Sequence, residues 1–205
     1  MTLRSLPLFL VGAAMLGACG GPESSTSETD EGALVPAMET SEPSSGGDVT
    51  AMAYCDDVAT WDPAWASFED QVLTLVNQRR AAGATCGGVA KPPVPALTMD
   101  ARLRCAARKH SRDMATNNFM GHTSSDGVTT PWQRITSAGY TYRAAGENVA
   151  AGYSTPAAVV NGWMSSTGHC NNIMSSNFVH LGVGYAYRAT GTNYRHYWTQ
   201  DFGRQ

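Results

Sequence analysis

The order of periodic segments predicts an α+β domain, with helices in series interleaved with a few antiparallel strands. Two long segments, 66–82 and 101–117, carry apolar residues at helical spacing. Near the C-terminus, the large residues of 181–187 alternate with glycine and alanine, as in a strand. About 150 residues hold all of these patterns, which is enough for one domain with one core.

The first two predicted helices are separated by a stretch that cannot be helical. Helix 66–82 ends near Gly83, and three prolines within 91–95 make that stretch an extended loop. Asp100 is a good N-cap for the next helix, 101–117, because its carboxylate can accept the first free backbone N–H groups. The sequence therefore predicts that the second helix begins immediately after Asp100.

The second half of the domain alternates between short helices and strands. A short helix is predicted over 131–138 and another over 156–166, each beginning at a proline, which suits the first helical position. Residues 149–153 are strand-like, and 181–187 form a second strand. In the last strand Trp198 and Phe202 share one face. These elements complete the α+β prediction.

Residues 1–19 have the pattern of an export signal. Arg4 supplies the positive charge, and 6–16 form an apolar core too short to span a bilayer as a permanent helix. The segment ends Leu-Gly-Ala-Cys, which resembles a lipobox, so we expect a signal peptide cut before a lipidated Cys19. An ordinary signal peptide with an unmodified Cys19 is the alternative. Lipid chains would attach the exported protein to a membrane, and Gly20 favours the outer membrane if the cell has one.

Residues 20–50 are predicted to be a disordered, acidic tether, and 51–205 the folded domain. The tether holds seven acidic residues, no Lys or Arg, and otherwise mostly Ser, Thr, Gly and Pro, so it cannot bury enough apolar surface to offset its ordering entropy. Without these two segments the chain has 13 basic and 10 acidic residues. A net charge of about +3 without an aromatic-interleaved basic patch argues against nucleic acid. We expect a monomer.

Four cysteines, Cys55, Cys86, Cys105 and Cys170, lie within the predicted domain. An even number in an exported protein favours two disulfides, and no C-x-x-C spacing supports the alternative, a metal cluster. Three connectivities are possible. We expect Cys86–Cys105, which joins the first helix to the second, and Cys55–Cys170, which joins the N-terminal segment to the region of His169.

Short motifs in a fixed order connect the chain to a known family. They are Ala106 to Ala115, His122, Gly139-Tyr140, Gly146 to Ala150, Gly162-Trp163-Met164, Gly168-His169, Leu181 to Tyr185 and Tyr197 to Gly203. Together they resemble the CAP superfamily, or SCP domain, of cysteine-rich secretory proteins, antigen five and pathogenesis-related proteins, over about residues 67–204. The bacterial, single-domain form is the most similar. The resemblance implies an α-β-α sandwich with a small antiparallel sheet between helices.

The resemblance also implies a cleft containing His122, Glu147 and His169. Two imidazoles and a carboxylate suit Zn²⁺ or another divalent cation. Many eukaryotic members carry a second glutamate three residues after the tryptophan, where this chain has Ser166. Ser166 is at best a weak ligand and cannot act as a base, so the family's ligand set is incomplete here. His110, on the apolar side of its helix, is expected to be a core residue.

Two functions of different classes are compatible with this pattern. The one we favour is an extracytoplasmic lipoprotein that binds a divalent metal, a lipid or sterol-like molecule, or an envelope component in the His122/Glu147/His169 cleft. The alternative is a hydrolase in which a metal or His169 activates water and Glu147 is the base or orienter. Neither an HExxH helix nor a G-x-S-x-G elbow occurs in the sequence. A structural module with a vestigial cleft is a third possibility.

Overall fold

The computed structural model describes residues 33–35 and 47–205 of the 205-residue chain. Its helices are α1 Gly47–Ala59, α2 Pro63–Ala82, α3 Ala101–Asn117, α4 Pro131–Ser137, α5 Pro156–Ser165 and α6 Thr167–Ile173. Its strands are β1 Ala33–Val35, β2 Ala84–Cys86, β3 Val89–Lys91, β4 Thr98–Met99, β5 Ala144–Ala151, β6 His180–Tyr187 and β7 His196–Arg204. In this part of the chain no helix has the length and apolar character needed to cross a membrane.

A five-stranded sheet in the order β1-β5-β7-β6-β4 forms the centre of the domain. All its neighbours are antiparallel except β4, which runs parallel to β6. One face packs on α2, α5 and α6 through a core that includes Val76, Trp163 and Phe202. The other face packs on α1, α3 and α4, with Leu103 and Tyr197 in its clusters. The α+β class and the α-β-α sandwich that the resemblance implied are therefore confirmed.

The helices with strong local signals lie where the sequence predicted them. Helix α3 covers the predicted range, and the Asp100 carboxylate accepts the N–H groups of Arg102 and Leu103 at 2.9 and 3.3 Å. Helix α2 begins three residues earlier than predicted, because Pro63 occupies its first turn and the Asp62 side chain caps it. The spacing of apolar residues carries no information about the capping residue, so the sequence analysis placed the start of α2 too late.

Several elements were not predicted, namely α1, α6, the β2–β3 hairpin and the short strand β4. Helix α1 has little apolar periodicity of its own and is held by packing of Tyr54, Cys55 and Val58 against α3 and α4. Its first residues, like β1, fall inside segment 20–50, for which no secondary structure was predicted. The signal 1–19, with Cys19, and the rest of the tether lie outside the described residues.

The chain forms two disulfides, but the predicted pairing is wrong. Cys55 pairs with Cys105 at a Cα separation of 5.8 Å, and Cys86 pairs with Cys170 at 5.5 Å. The first joins α1 to the start of α3, and the second joins the hairpin to α6. Because neither α1 nor α6 was predicted from the sequence, the elements that bring these cysteines together could not be placed.

Helix α3 lies directly on β6, with glycine at the two points of contact. A Cβ on Gly182 would come 2.0 Å from the backbone carbon of Leu103, and one on Gly184 would come 2.3 Å from that of Ala107. No Cβ atom fits at such distances, so only glycine lets the helix approach the strand this closely. The Ser111 hydroxyl on the same helix donates to the Gly184 carbonyl at 2.9 Å.

We expect Gly184→Ala to lower the free energy of unfolding by about 3 kcal/mol or more, because the methyl group meets backbone rather than a side chain that could move. Gly121→Ala is the matched control, since open space surrounds Gly121. Its effect should stay within about 0.5 kcal/mol. Urea unfolding of both variants measures this. Equal effects would contradict the close contact between α3 and β6.

Candidate functional site

Glu147 lies in the middle of β5 and is completely buried. Its Oε1 accepts a hydrogen bond from His122 Nδ1 at 2.8 Å, and its Oε2 accepts one from Arg134 Nη2 at 2.7 Å. The His122 side chain is partly exposed, with 26% of its surface accessible. His122 and Glu147, two of the three residues predicted to converge, are therefore in direct contact, and both carboxylate oxygens have a partner.

Arg134, on the buried side of α4, connects this carboxylate to the loop that carries His122. Its Nη2 also donates to the His122 carbonyl at 2.8 Å, and its Nη1 donates to Ser124 Oγ at 2.8 Å and to the Thr129 carbonyl at 3.2 Å. The side chain is only 3% exposed. Sequence reasoning missed Arg134, although an arginine beside Ile135 on the apolar side of a short helix is a detectable signal.

Asp201 is the second residue that the sequence analysis missed. It lies opposite Glu147 in the β5–β7 register and is fully buried. Burial and the neighbouring charge of Glu147 raise the pKa of Asp201 well above its ordinary value. Among the described residues no hydrogen-bond donor reaches either of its oxygens. Folding therefore favours the protonated form of Asp201, which can donate its own proton to Glu147.

Glu147 itself stays ionised. Burial raises its pKa, but the charges of His110, Arg134 and His122 outweigh burial and hold the pKa below its ordinary value. Burial also lowers the pKa of His110 to about 4, so His110 is neutral near pH 7. At that pH we therefore assign the lowered pKa of Glu147 chiefly to its ion pair with Arg134. His110 Nε2 lies 2.7 Å from the Gly121 carbonyl and donates to it. The prediction that His110 is a core residue is confirmed, since it is fully buried.

His169 and Ser166 line an open cavity of about 320 Å³ where β5, α5 and α6 meet. The other lining residues are Met120, Val149, Ala150, Ala151, Tyr153, Gly162, Trp163 and Tyr194. His122 and Glu147 are not among them. His122, Glu147 and Arg134 form a mostly buried cluster, and His169 borders the cavity.

With Nδ1 in contact with Glu147, His122 could coordinate a cation only through its other ring nitrogen, Nε2, which is the arrangement that metal-binding histidines usually show. Within 33–35 and 47–205, no group of three His, Cys, Asp or Glu residues is placed to hold a metal ion. The oxygens of Glu147 are engaged by Arg134 and His122, and the Nδ1 atom of His122 is used in that contact. The Zn²⁺ or other divalent cation expected from the sequence stays a prediction.

A model of the cysteine-rich secretory protein family matches residues 73–202. The chain belongs to the CAP family. The CAP domain is 36% identical over 137 residues to the uncharacterised protein YkwD of Bacillus subtilis (strain 168), covering 67% of this chain and 47% of that protein. It is 32% identical over 142 residues to the uncharacterised membrane protein YlbC of the same organism, covering 69% and 36%. The chain therefore spans less than half the length of these relatives.

Solved structures agree with the family. An extracellular SCP-domain protein of Bacillus anthracis has a TM-score of 0.57 and 28% identity, covering 72% of this chain and 45% of that one. An outer surface protein of Borrelia burgdorferi has a TM-score of 0.52 at 20% identity, covering 66% and 93%. The second likeness concerns the CAP fold alone.

We expect Asp201→Asn to flatten the dependence of stability on pH. When folding raises the pKa of a group, that group contributes its full stability to the folded protein at pH values below its unfolded pKa. The contribution is lost as the pH rises from the unfolded pKa through the folded pKa. Above its ordinary pKa of 3.8, Asp201 should therefore cost the parent about 1.4 kcal/mol per pH unit until the raised pKa is reached. An asparagine, which is always neutral, has no such loss.

Denaturant unfolding of the parent and the variant between pH 4 and 9 measures the difference, which should widen in favour of Asn as pH rises. Asp56→Asn, on the exposed side of α1, is the control and should change stability by less than about 0.5 kcal/mol. Parallel curves for the parent and Asp201→Asn would show that Asp201 is ionised in the folded state.

Proposed function

We propose that this CAP domain is an exported binding protein whose ligand occupies the cavity beside His169. The observation that carries the proposal is that His169 and Ser166 border the cavity, while Glu147 is enclosed and engaged by Arg134. Ligand sites are typically concave and mostly apolar, with a few polar groups that fix orientation. The cavity of about 320 Å³ has this composition and lies at the low end of their usual size.

The polar groups of the cavity suit a ligand with a hydrogen-bonding end and an apolar body. Ser166 is the residue before α6, but its side chain makes no capping hydrogen bond there, which leaves the hydroxyl to a ligand. An imidazole and a hydroxyl can each donate or accept. Trp163 and Val149 form part of the apolar wall of the cavity. Trp163 Nε1 donates a hydrogen bond to the Val149 carbonyl at 3.2 Å, which keeps this part of the wall in place.

The hydrolase alternative gains no support from the geometry. It assigned Glu147 the role of base or orienter near an open site, whereas Glu147 is fully buried and both of its oxygens accept hydrogen bonds from His122 and Arg134. A carboxylate with a depressed pKa is also a weak base. We therefore favour binding over catalysis.

A fragment screen tests the binding proposal. We expect amphipathic fragments to shift the NMR signals of the His169 imidazole in the full chain. Ser166→Trp, which fills the cavity, should weaken this binding at least tenfold. The matched control is Ser165→Trp, because Ser165 is the adjacent residue, is exposed and does not line the cavity. Fragments that bind Ser166→Trp as well as the parent, or that leave His169 unperturbed, would contradict the proposal.

We further propose that the protein is attached to the cell envelope through a lipidated Cys19. The support is the export pattern of residues 1–19 and the similarity to an extracellular SCP-domain protein. The acidic segment from residue 20 would then separate the CAP domain from the membrane. In a cell with an outer membrane, Gly20 after Cys19 favours that membrane as the destination.

Intact mass and detergent-phase partitioning test this anchor. We expect the mature chain to begin at Cys19 with the added mass of acyl chains and to enter the detergent phase. Cys19→Ser should prevent lipidation and leave the protein in the aqueous phase or unprocessed. A mature parent chain with an unmodified N-terminus in the soluble fraction would mean that the signal is an ordinary one.

A further inference from the structure

We propose that a second site, a polar cleft between α1 and α3, binds a neutral saccharide. The α1–α3 cleft is bordered by Tyr54 of α1, by Lys109 and Thr116 of α3, and by the loop 123–130 that precedes α4. Its volume of about 380 Å³ lies within the usual range for ligand sites. Among the described residues it shares no lining residue with the cavity beside His169, so this inference goes beyond the proposed function and does not depend on it.

The lining of the α1–α3 cleft is polar throughout. Every described residue that lines it carries a polar or charged side chain, and Tyr54 supplies its aromatic ring. The cavity beside His169, by contrast, includes Met120, Val149 and Trp163. Ligands with an apolar body, and peptides anchored by a large apolar side chain, need an apolar pocket. The α1–α3 cleft has no aliphatic wall, so its ligand has to be polar over most of its surface.

The charged side chains of the cleft are held in place before a ligand arrives. Lys109 Nζ donates to the Tyr54 carbonyl and to Asp57 Oδ1, both at 2.9 Å. Arg112 Nη1 donates to the Asp57 carbonyl at 2.6 Å. On the loop side, the Asp113 carboxylate accepts a backbone N–H of the loop at 2.8 Å. Little side-chain freedom is therefore left to lose on binding, which favours affinity.

The charges of the cleft are balanced. The two α3 cations that line it, Lys109 and Arg112, form ion pairs with the same carboxylate of α1. Arg134 forms one with Glu147, and Asp113 adds a third carboxylate. Three positive charges thus meet three negative ones, and the cleft gives neither an anion nor a cation an electrostatic advantage over a neutral ligand.

Two hydroxyls of the cleft are available to such a ligand. Tyr54 and Thr116 accept side-chain hydrogen bonds through their carbonyls, from Lys109 and Arg188, whereas their hydroxyls have no hydrogen-bond partner among the described residues. Burial raises the pKa of Tyr54 to about 12, so its hydroxyl keeps its proton near pH 7. Hydroxyls both donate and accept. A saccharide, which carries such groups around an uncharged ring, matches a cleft of fixed donors and acceptors.

The probes are three neutral tetrasaccharides, chitotetraose, cellotetraose and maltotetraose, with a sulfated heparin tetrasaccharide for comparison. Affinity for the full chain is measured by NMR titration of its amide signals. Tyr54→Phe removes one hydroxyl and keeps the ring, which lies 4.3 Å from Lys109 Nζ. Thr116→Trp fills the cleft. Thr74→Trp is the matched control, because both threonines are exposed on helices and Thr74 does not line the cleft.

We expect at least one neutral tetrasaccharide to bind and to shift amide signals of the C-terminal half of α3 and of the loop 123–130. Thr116→Trp should weaken this binding at least tenfold and Tyr54→Phe at least threefold, whereas Thr74→Trp should change it less than twofold. Ser166→Trp, which fills the cavity beside His169, should leave it unchanged. If Thr116→Trp is misfolded by circular dichroism, Tyr54→Phe decides, since it alters a single hydroxyl.

Other outcomes overturn the inference in distinguishable ways. Binding of the heparin tetrasaccharide alone, with an affinity that falls as salt rises, would mean that the cleft selects an anion. Saccharide binding that survives both Thr116→Trp and Tyr54→Phe would place the sugar outside the cleft, and its loss in Ser166→Trp instead would assign it to the cavity beside His169. If none of the four tetrasaccharides binds, the inference is wrong, while the fragment screen still decides the proposed function.

Discussion

The close contact between α3 and β6 is the constraint on which the rest of the structure depends. Because glycine occupies positions 182 and 184, the helix backbone lies against the strand with no side chain between them. The next turn of α3 then reaches the sheet, where Ser111 Oγ lies 2.9 Å from both the Gly184 carbonyl and Thr199 Oγ1. His110 reaches the Gly121 carbonyl from the same turn. The position of the His122 loop is thus set by helix-to-strand packing as well as by Arg134.

On the α3 side of the sheet, two buried carboxyl groups share one permanent cation. Arg134 compensates the charge of Glu147, and no second arginine or lysine forms an ion pair with Glu147 or Asp201 among the described residues. The consequence is a pKa of Asp201 well above its ordinary value, because an uncompensated buried carboxylate would cost far more than keeping its proton. A buried ion pair of this kind is weak evidence for net stability, because the cost of desolvating both charges can offset their attraction. We infer that its role is to hold His122 where it lies.

The sequence predicted what depends on local chemistry and missed what depends on long-range packing. Helix α3 and its Asp100 cap were predicted correctly, since capping and periodicity act over a few residues. The disulfide partners and Arg134 were not, because their places follow from elements that meet only in the folded chain. The family resemblance brought His122 and Glu147 together correctly. It could not indicate that Glu147 would be enclosed, because burial depends on residues such as Asp201, outside the motif.

Strand β5 carries both Glu147 and part of the cavity wall beside His169. Glu147 anchors its middle to Arg134, and four residues later Ala151 borders the cavity. Between them, Asn148 Nδ2 donates to the His169 carbonyl at 3.3 Å and to Gln200 Oε1 at 3.1 Å, which ties α6 to the sheet. A strand held at Glu147 by an ion pair and at Asn148 by amide hydrogen bonds cannot shift its register without breaking buried polar contacts. The buried cluster therefore keeps Val149–Ala151, the part of β5 that lines the cavity, in a fixed position beside His169.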